Sequence, residues 1–238
     1  MKNIKPYNTS TSKKSQITHM FNNISKTYDQ LNSYISFGMH HVWRKKAIQK
    51  IKNNPNHILD VATGTGDFAI SNTQFTNAHV TGIDISEGML EIGREKIKKR
   101  NLTERINLKL ADCEQLPFKN DKFDAVTAGF GVRNFENIPK GLKEIYRVLK
   151  KNGSVVILEP NNPSIFPLKQ IYYIYFHFIV PLIGRVISED KDAYTYLPNS
   201  VEEFNKTLLS DNLSQVGFKE IKYTSLSFGI VGLYTAIK

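Results

Sequence analysis

Apolar positions change their period along this chain, and each change marks a change of structure. From Ile17 to Ile51 they recur every three or four residues, at Met20, Phe21, Ile24, Tyr28, Leu31, Tyr34 and Ile35. That spacing predicts an amphipathic helix, with a second from Val42. From Asn56 short apolar runs alternate with helical periods. Strands are expected at 57–61, 79–83, 106–111, 123–128 and 154–158, and helices near 68–72, 87–99 and 138–149. Lys151-Asn152-Gly153 supplies the turn between the last of these helices and the fifth strand. Apolar strands separated by amphipathic helices require a mostly parallel α/β sheet covered on both faces.

After Glu159-Pro160 the alternation stops, and Pro163, Pro167, Pro181 and Pro198 divide an aromatic segment from 161 to 200. A crossover of that length is unusual without a role of its own. Placed after a central strand, it lies beside the carboxyl ends of the sheet, where open α/β proteins bind ligands. The regular pattern resumes with a helix near 201–210 and strands near 218–224 and 229–236, which makes seven strands. The expected organisation is a flexible lead over 1–16 and a single domain over 17–238, with cap helices at 17–52 and an aromatic cap at 161–200.

Composition narrows the class. With 238 residues, 40% of them hydrophobic and 23% charged, the chain can bury a large core. The lone Cys113 has no internal disulfide partner, which fits a reducing compartment. The polar stretch Met1 to Gln16 lacks the apolar core of a secretory signal. Ile171 to Ile187 is the most apolar segment, but His177, Pro181 and Arg185 interrupt it, which argues against a membrane span. The net charge of +10 resides largely in Lys/Asn-rich stretches such as Lys96 to Arg100, read as a solvated face that can also meet anionic lipid. No metal-ligand spacing or nucleic-acid motif accompanies that charge, and neither partner is expected.

The chemistry concentrates in Asp60-Val61-Ala62-Thr63-Gly64-Thr65-Gly66-Asp67. Short side chains let the backbone of this turn approach a ligand, and the helix that follows offers free amides. A carboxylate at the end of the first strand is a poor neighbour for pyrophosphate but suits a cofactor with an ammonium group. Asp84 ends the second strand, where an acid can accept both ribose hydroxyls of an adenosine. Asp112 ends the third, with Cys113 as soft packing for an adenine ring. Three strand-end acids thus converge on one crevice.

These residues resemble the class I S-adenosylmethionine-dependent methyltransferases, and within them the menaquinone/ubiquinone biosynthesis C-methyltransferase family. The resemblance extends from about Met20 to Lys238. It is carried by Met20-Phe21 with Tyr28-Asp29, by Asp60 to Asp67, by Asp84-Ile85-Ser86-Glu87-Gly88-Met89-Leu90, by Gly129-Phe130-Gly131-Val132-Arg133-Asn134, and by Tyr194-Thr195-Tyr196-Leu197-Pro198-Asn199-Ser200. It implies a Rossmann-like seven-stranded sheet with a helical cap. It implies S-adenosylmethionine as methyl donor, bound by Asp60, Gly64, Thr65, Gly66, Asp84, Ile85, Met89, Asp112, Cys113 and Gly129, with no metal. Two positions depart from many relatives: Thr63 stands where they have glycine, and Gly129 where ubiquinone-branch members have serine.

The implied reaction methylates a ring carbon of a reduced, prenylated quinone, a naphthoquinol (demethylmenaquinol) in preference to a benzoquinol. A quinol oxygen pushes electron density onto that carbon, so the site must favour its deprotonation. Arg133 is the first candidate to stabilise the oxyanion or orient a water. Asn134, Asp67, Tyr28, Tyr194 and Tyr196 are candidates to hydrogen-bond the ring hydroxyls, and His40-His41 to supply a base. The aromatic cap then offers a pocket for the isoprenoid that opens toward the bilayer, with Lys169 near the headgroups. The implied setting is the cytoplasm, with transient attachment to the inner face of the cell membrane. A homodimer is compatible with the sequence.

Overall fold

The computed structural model describes residues 4–52, 54–187, 190–204 and 206–238. Seven strands form one sheet: β1 (His57–Val61), β2 (His79–Asp84), β3 (Ile106–Leu110), β4 (Phe123–Gly129), β5 (Leu149–Pro160), β6 (Lys219–Leu226) and β7 (Val231–Ile237). Their spatial order is β3-β2-β1-β4-β5-β7-β6, parallel except for β7, which runs antiparallel to both neighbours. The central strands are buried on both faces, as parallel strands between helical layers must be. The order reverses between β1 and β4, so the crevice beyond their carboxyl ends is the ligand position of a doubly wound sheet.

Two helices on one face and two on the other close the core. Leu142 and Ile145 of α5 (Ile138–Val148) and Leu213 of α9 (Lys206–Val216) pack with Leu59, Val61, Val126 and Ile157. On the opposite face, Ile70 of α3 (Asp67–Phe75) and Leu90 of α4 (Glu87–Lys99) pack with Ile58, Val80 and Ala125. The helix starts follow local chemistry. Ser86 accepts a hydrogen bond from the Met89 amide to cap α4, and Asn137 caps α5 through the Lys140 amide. Lys96, Lys98 and Lys99 complement the carbonyl end of α4.

The two cap regions meet over the carboxyl edge of the sheet. α1 (Lys13–Ser36) buries the stripe Ile17, Met20, Ile24 and Leu31 against Met89 and against Tyr194 and Tyr196 of α8 (Lys191–Glu203). α2 (Met39–Ile48) sets Trp43, Ala47 and Ile48 against Phe68, Val156, Leu158 and Leu233. The aromatic segment forms α6 (Leu168–Ile174), a π-helical turn (Tyr175–Ile179) and α7 (Val180–Ile187).

Three boundaries differ from expectation. The lead was expected to reach residue 16, yet Ser12 caps α1 and Lys13 and Gln16 are buried. The Gln16 amide group donates to the Thr9 and Thr11 carbonyls, and its Oε1 accepts from the Tyr7 amide, so tertiary hydrogen bonds fix a polar segment that has no apolar period. The helix expected at 201–210 is divided between α8, which ends at Glu203, and α9, which begins at Lys206. Strand β5 begins five residues early, at Leu149, because Phe123 of β4 pairs with it there.

Candidate active site

Two cavities open from the switch point. The first lies against the ends of β1, β2 and β3 and the segment after β4, under Lys14, Ile17 and Phe21 of α1. Asp84 sets its polarity: one carboxylate oxygen accepts the Gly64 amide at 2.8 Å and the other the Ser86 amide at 2.9 Å. Burial pushes this carboxyl up, and the two amides pull it back toward the charged form. Gly64 has φ +55, and a Cβ there would project into the open space before Tyr28. A carboxylate held by amides, a turn without a side chain at its mouth and a neighbouring acid, Asp112, are the donor and acceptor set that an adenosine with a charged amino-acid tail requires.

Of the residues expected to contact the cofactor, Gly64, Asp84, Ile85, Met89, Asp112, Cys113 and Gly129 line this cavity. Asp60, Thr65 and Gly66 do not. Asp60 is fully buried beneath the turn, where Thr63 and Thr127 donate to its two carboxylate oxygens at 2.6 and 2.7 Å. Burial pushes its pKa up to about 6. The turn therefore rests on Asp60, and the Thr63 hydroxyl that replaces glycine supplies half of that support. Thr65 turns away to donate to Asp29 Oδ1 at 2.5 Å. The Cys113 thiol, raised far above its ordinary range by burial, packs and does not react. At Gly129 a Cβ would come within 2.8 Å of the Phe68 ring, so a larger residue here requires that ring to shift.

The second cavity has a volume of about 430 Å³ and is mostly apolar. α1, α2, α6 and α8 wall it with Met20, Ile24, Trp43, Tyr172, Phe176 and Leu197. It meets the first cavity at four shared residues: Phe21, Tyr28, Phe130 and Asn134. Phe130 sits there in a left-handed conformation, φ +63, and Ala62, just after β1 and against Gly131, has φ +53. Two non-glycine residues in this uncommon region flank the switch point, where such strain typically marks function.

The catalytic candidates separate. Tyr28 and Asn134 lie at the junction, and the Tyr196 hydroxyl donates to Asn134 Oδ1 at 3.0 Å, which fixes the amide. Burial raises the Tyr28 phenol and pushes that of Tyr196 up to about 12, so both are neutral donors near pH 7. Arg133 and Tyr194 line the apolar cavity only. Arg133 pairs with Glu159 at 3.0 Å, donates to the Phe130 carbonyl, and reaches Ser200 at 3.3 Å. Glu159 is fully buried and also accepts the Val132 amide at 2.6 Å. Asp67 reaches neither cavity. Burial alone would raise its carboxyl, but the charges of Arg44 and Lys96 outweigh it and hold it below its ordinary value. His40 is buried in the apolar wall with its pKa lowered to about 4, whereas His41 is exposed.

Sequence reasoning missed several polar residues of the site. Glu159 was legible only as the end of a strand before proline, and Glu114 only as the neighbour of Cys113. Glu114 lines the cofactor cavity and accepts the Glu136 and Asn137 amides at 2.9 and 3.0 Å. Lys14 pairs with Asp112 at 2.6 Å from a segment read as a lead. Arg44 lines the apolar cavity from the inner face of α2.

The fold is that of the S-adenosylmethionine-dependent methyltransferases. A Thermotoga maritima protein described as a possible histamine N-methyltransferase superposes with a TM-score of 0.66 at 20% identity, covering 92% of this chain and 99% of that one. The [4+2]-cyclase SpnF superposes with a TM-score of 0.71 at 16% identity, over 94% of this chain and 96% of its own. A cyclase on this architecture shows that the fold alone does not assign the reaction.

The sequence does. Residues 9–238 match the ubiE/COQ5 methyltransferase family, and the chain belongs to it. It is 47% identical to the demethylmenaquinone methyltransferase of Bacteroides fragilis, over 99% of this chain and 97% of that one. Identity to the enzyme of the same name from Porphyromonas gingivalis is 45%, over 99% and 98%. The ubiquinone/menaquinone biosynthesis C-methyltransferase UbiE of Geotalea daltonii is 44% identical, over 96% and 98%. The chain is an S-adenosylmethionine-dependent C-methyltransferase by that membership.

Proposed function

We propose that this enzyme methylates a ring carbon of demethylmenaquinol and that Phe21, Tyr28, Phe130 and Asn134 frame the point of transfer. The observation that carries the reading is the meeting of a polar strand-end cavity with an apolar one at those four residues. A charged donor and a greasy acceptor need separate solvents and one shared opening. Two relatives named as demethylmenaquinone methyltransferases, at 47% and 45% identity, support the naphthoquinol.

S-adenosylmethionine supplies an electrophilic methyl group, whose bond to sulfur breaks as the ring carbon bonds to it. The chain's part is to hold and orient. Asp84 offers its remaining lone pairs to the ribose hydroxyls, and Asp112 faces the adenine side of the cavity. Tyr28 and the Tyr196-braced Asn134 hydrogen-bond the quinol ring so that one carbon faces the opening. Phe21 and Phe130 keep water from the junction. Arg133, bound to Glu159, anchors the segment that carries Asn134.

The prenyl tail lies among the aromatic residues of the cap and leaves toward lipid. Phe166, Ile171, Ile174, Phe178 and Leu182 are 77, 60, 56, 64 and 58% exposed beside Lys169, a larger cluster of exposed apolar side chains than a freely soluble surface carries. No helix among the described residues is long and apolar enough to cross a membrane.

Purified enzyme is to be given labelled S-adenosylmethionine with demethylmenaquinol or with 2-polyprenyl-6-methoxy-1,4-benzoquinol. Label is expected in the naphthoquinol; turnover of the benzoquinol alone would overturn the assignment. Flotation with anionic vesicles is expected for the wild type and reduced for Phe178→Asp/Leu182→Asp. Equal flotation of both would overturn the bilayer contact.

A further inference from the structure

We propose that Arg44, and not Arg133, is the group that stabilises the substrate oxyanion: its guanidinium is a built anion site in the wall of the apolar cavity. This rests on the quinol reading above and adds to it the residue that makes the ring nucleophilic.

Arg44 is 6% exposed, yet its guanidinium donates no hydrogen bond to the described residues. Its Nη1 is sealed from solvent, and Asp67 Oδ2, 3.3 Å away, supplies opposite charge without hydrogen-bond alignment. The N–H donors of Nη1, removed from water without an aligned acceptor, carry a desolvation penalty that nearby negative charge reduces. Nε and Nη2, which no described residue claims, are the nitrogens left to meet a ligand, and the cavity that Arg44 lines is where one would sit. Arg133 stands in contrast. Its charge is met by the fully buried Glu159, and its Nη1 and Nε are committed to Phe130, Glu159 and Ser200.

The surroundings favour an anion at Arg44. α1 presents Tyr28, raised by burial and drawn down by Arg44. α2 itself presents His40, held neutral, and β1 presents Asp60 from beneath the turn. α3 presents Asp67, which Lys96 of α4 shares and which Lys96 in turn balances against Asp29. Asp67 is thus divided between two cations, which leaves Arg44 incompletely matched. Among these groups, only Arg44 couples a cavity-lining position with uncommitted donors.

In the reaction, the quinol hydroxyl gives its proton to solvent, and Arg44 holds the resulting oxygen. That oxygen's electron pair moves onto the adjacent ring carbon, which bonds to the methyl group as the methyl–sulfur bond breaks. The same carbon then loses its own proton to solvent and the ring regains aromaticity. A bidentate guanidinium suits a planar phenolate better than a point charge does.

The test uses 1-naphthol, a redox-stable phenol, and the variants Arg44→Met and Arg44→Lys. Bound to the wild type, the naphthol should ionise about one pH unit or more below its value in water, read by absorbance. Arg44→Met should abolish that shift, and Arg44→Lys should keep part of it. With demethylmenaquinol, Arg44→Met should lower kcat about 100-fold and move the rising limb of the pH profile upward, with S-adenosylmethionine affinity within about threefold of wild type. Equal naphthol ionisation in wild type and Arg44→Met, or an unchanged pH profile in that variant, would overturn the proposal. Should Arg44→Met fail to fold, Arg44→Lys decides: a partial shift with raised KM supports the site, and a wild-type profile with no naphthol shift in either protein overturns it. If the wild type methylates no quinol, the functional reading fails, while the naphthol titration still decides Arg44.

Discussion

The two cavities that meet at Asn134 are built on opposite principles. The strand-end cavity is made by backbone: amides of Gly64 and Ser86 hold Asp84, and buried hydroxyls hold Asp60 under the turn. The cap cavity is made by side chains from helices at the two ends of the cap, 13–48 and 168–203, and two of its lining residues, Arg44 and Arg133, are in ion pairs, with Asp67 and Glu159. Backbone sites tolerate little change of shape, whereas side-chain sites can be refitted to another greasy ligand.

The sharpest break of that contrast is Arg133→Met. It strands Glu159 in a fully buried position, and unfolding in urea should show a loss of about 3–5 kcal/mol. A loss under about 1 kcal/mol would mean that the floor of the cap cavity is not braced by this pair.

Asp60 provides the corresponding test beneath the turn. Its carboxyl binds a proton more tightly in the folded chain, at about 6 against 3.8 unfolded. The native state therefore holds more protons between those values, and stability falls as pH rises through the window, with the penalty complete above about 6. Relative to Asp60→Asn, the wild type should lose on the order of 3 kcal/mol between pH 4 and 7, as read from urea midpoints. Parallel pH profiles would show that Asp60 ionises freely.

A smaller effect separates the cavities by ligand. Asp84→Asn removes the charge that two amides and the ribose share, and calorimetry should show S-adenosylmethionine affinity reduced by about 10- to 100-fold. Binding of 1-naphthol in the cap cavity should not change. Were both to fall together, the two cavities would be one coupled site.

Gly129→Ser closes the series. The added Cβ meets Phe68 at 2.8 Å, and a cost of about 1–3 kcal/mol is expected in thermal or urea unfolding. Combining it with Phe68→Leu should recover part of that loss. A neutral Gly129→Ser would show that the Phe68 ring moves freely and that the departure from the serine of relatives has another origin.

Much of this was legible in order along the chain. The apolar periods predicted all seven strands, and the strand-end acids at 84 and 112 both line the strand-end cavity. Asp60 was found for the wrong job, because a carboxylate at a strand end looks the same whether it faces a ligand or two threonines. Asp67 was read as catalytic from its place after the glycine turn, but its ion pairs with Arg44 and Lys96 turn it from the cavities. Arg44 carried no local signal, since its helix reads only as basic and amphipathic.

By itself the sequence determined the elements, the glycine turn and the family, because period, propensity and turn chemistry act over a few neighbouring residues. Tertiary structure decided which polar groups are spent and which are available. Arg133 and Arg44 are both buried arginines on the same cavity. Only packing shows that Arg133 is hydrogen-bonded to a buried glutamate while Arg44 Nη1 meets its carboxylate without a hydrogen bond, because burial and partnership arise between segments that the chain keeps far apart.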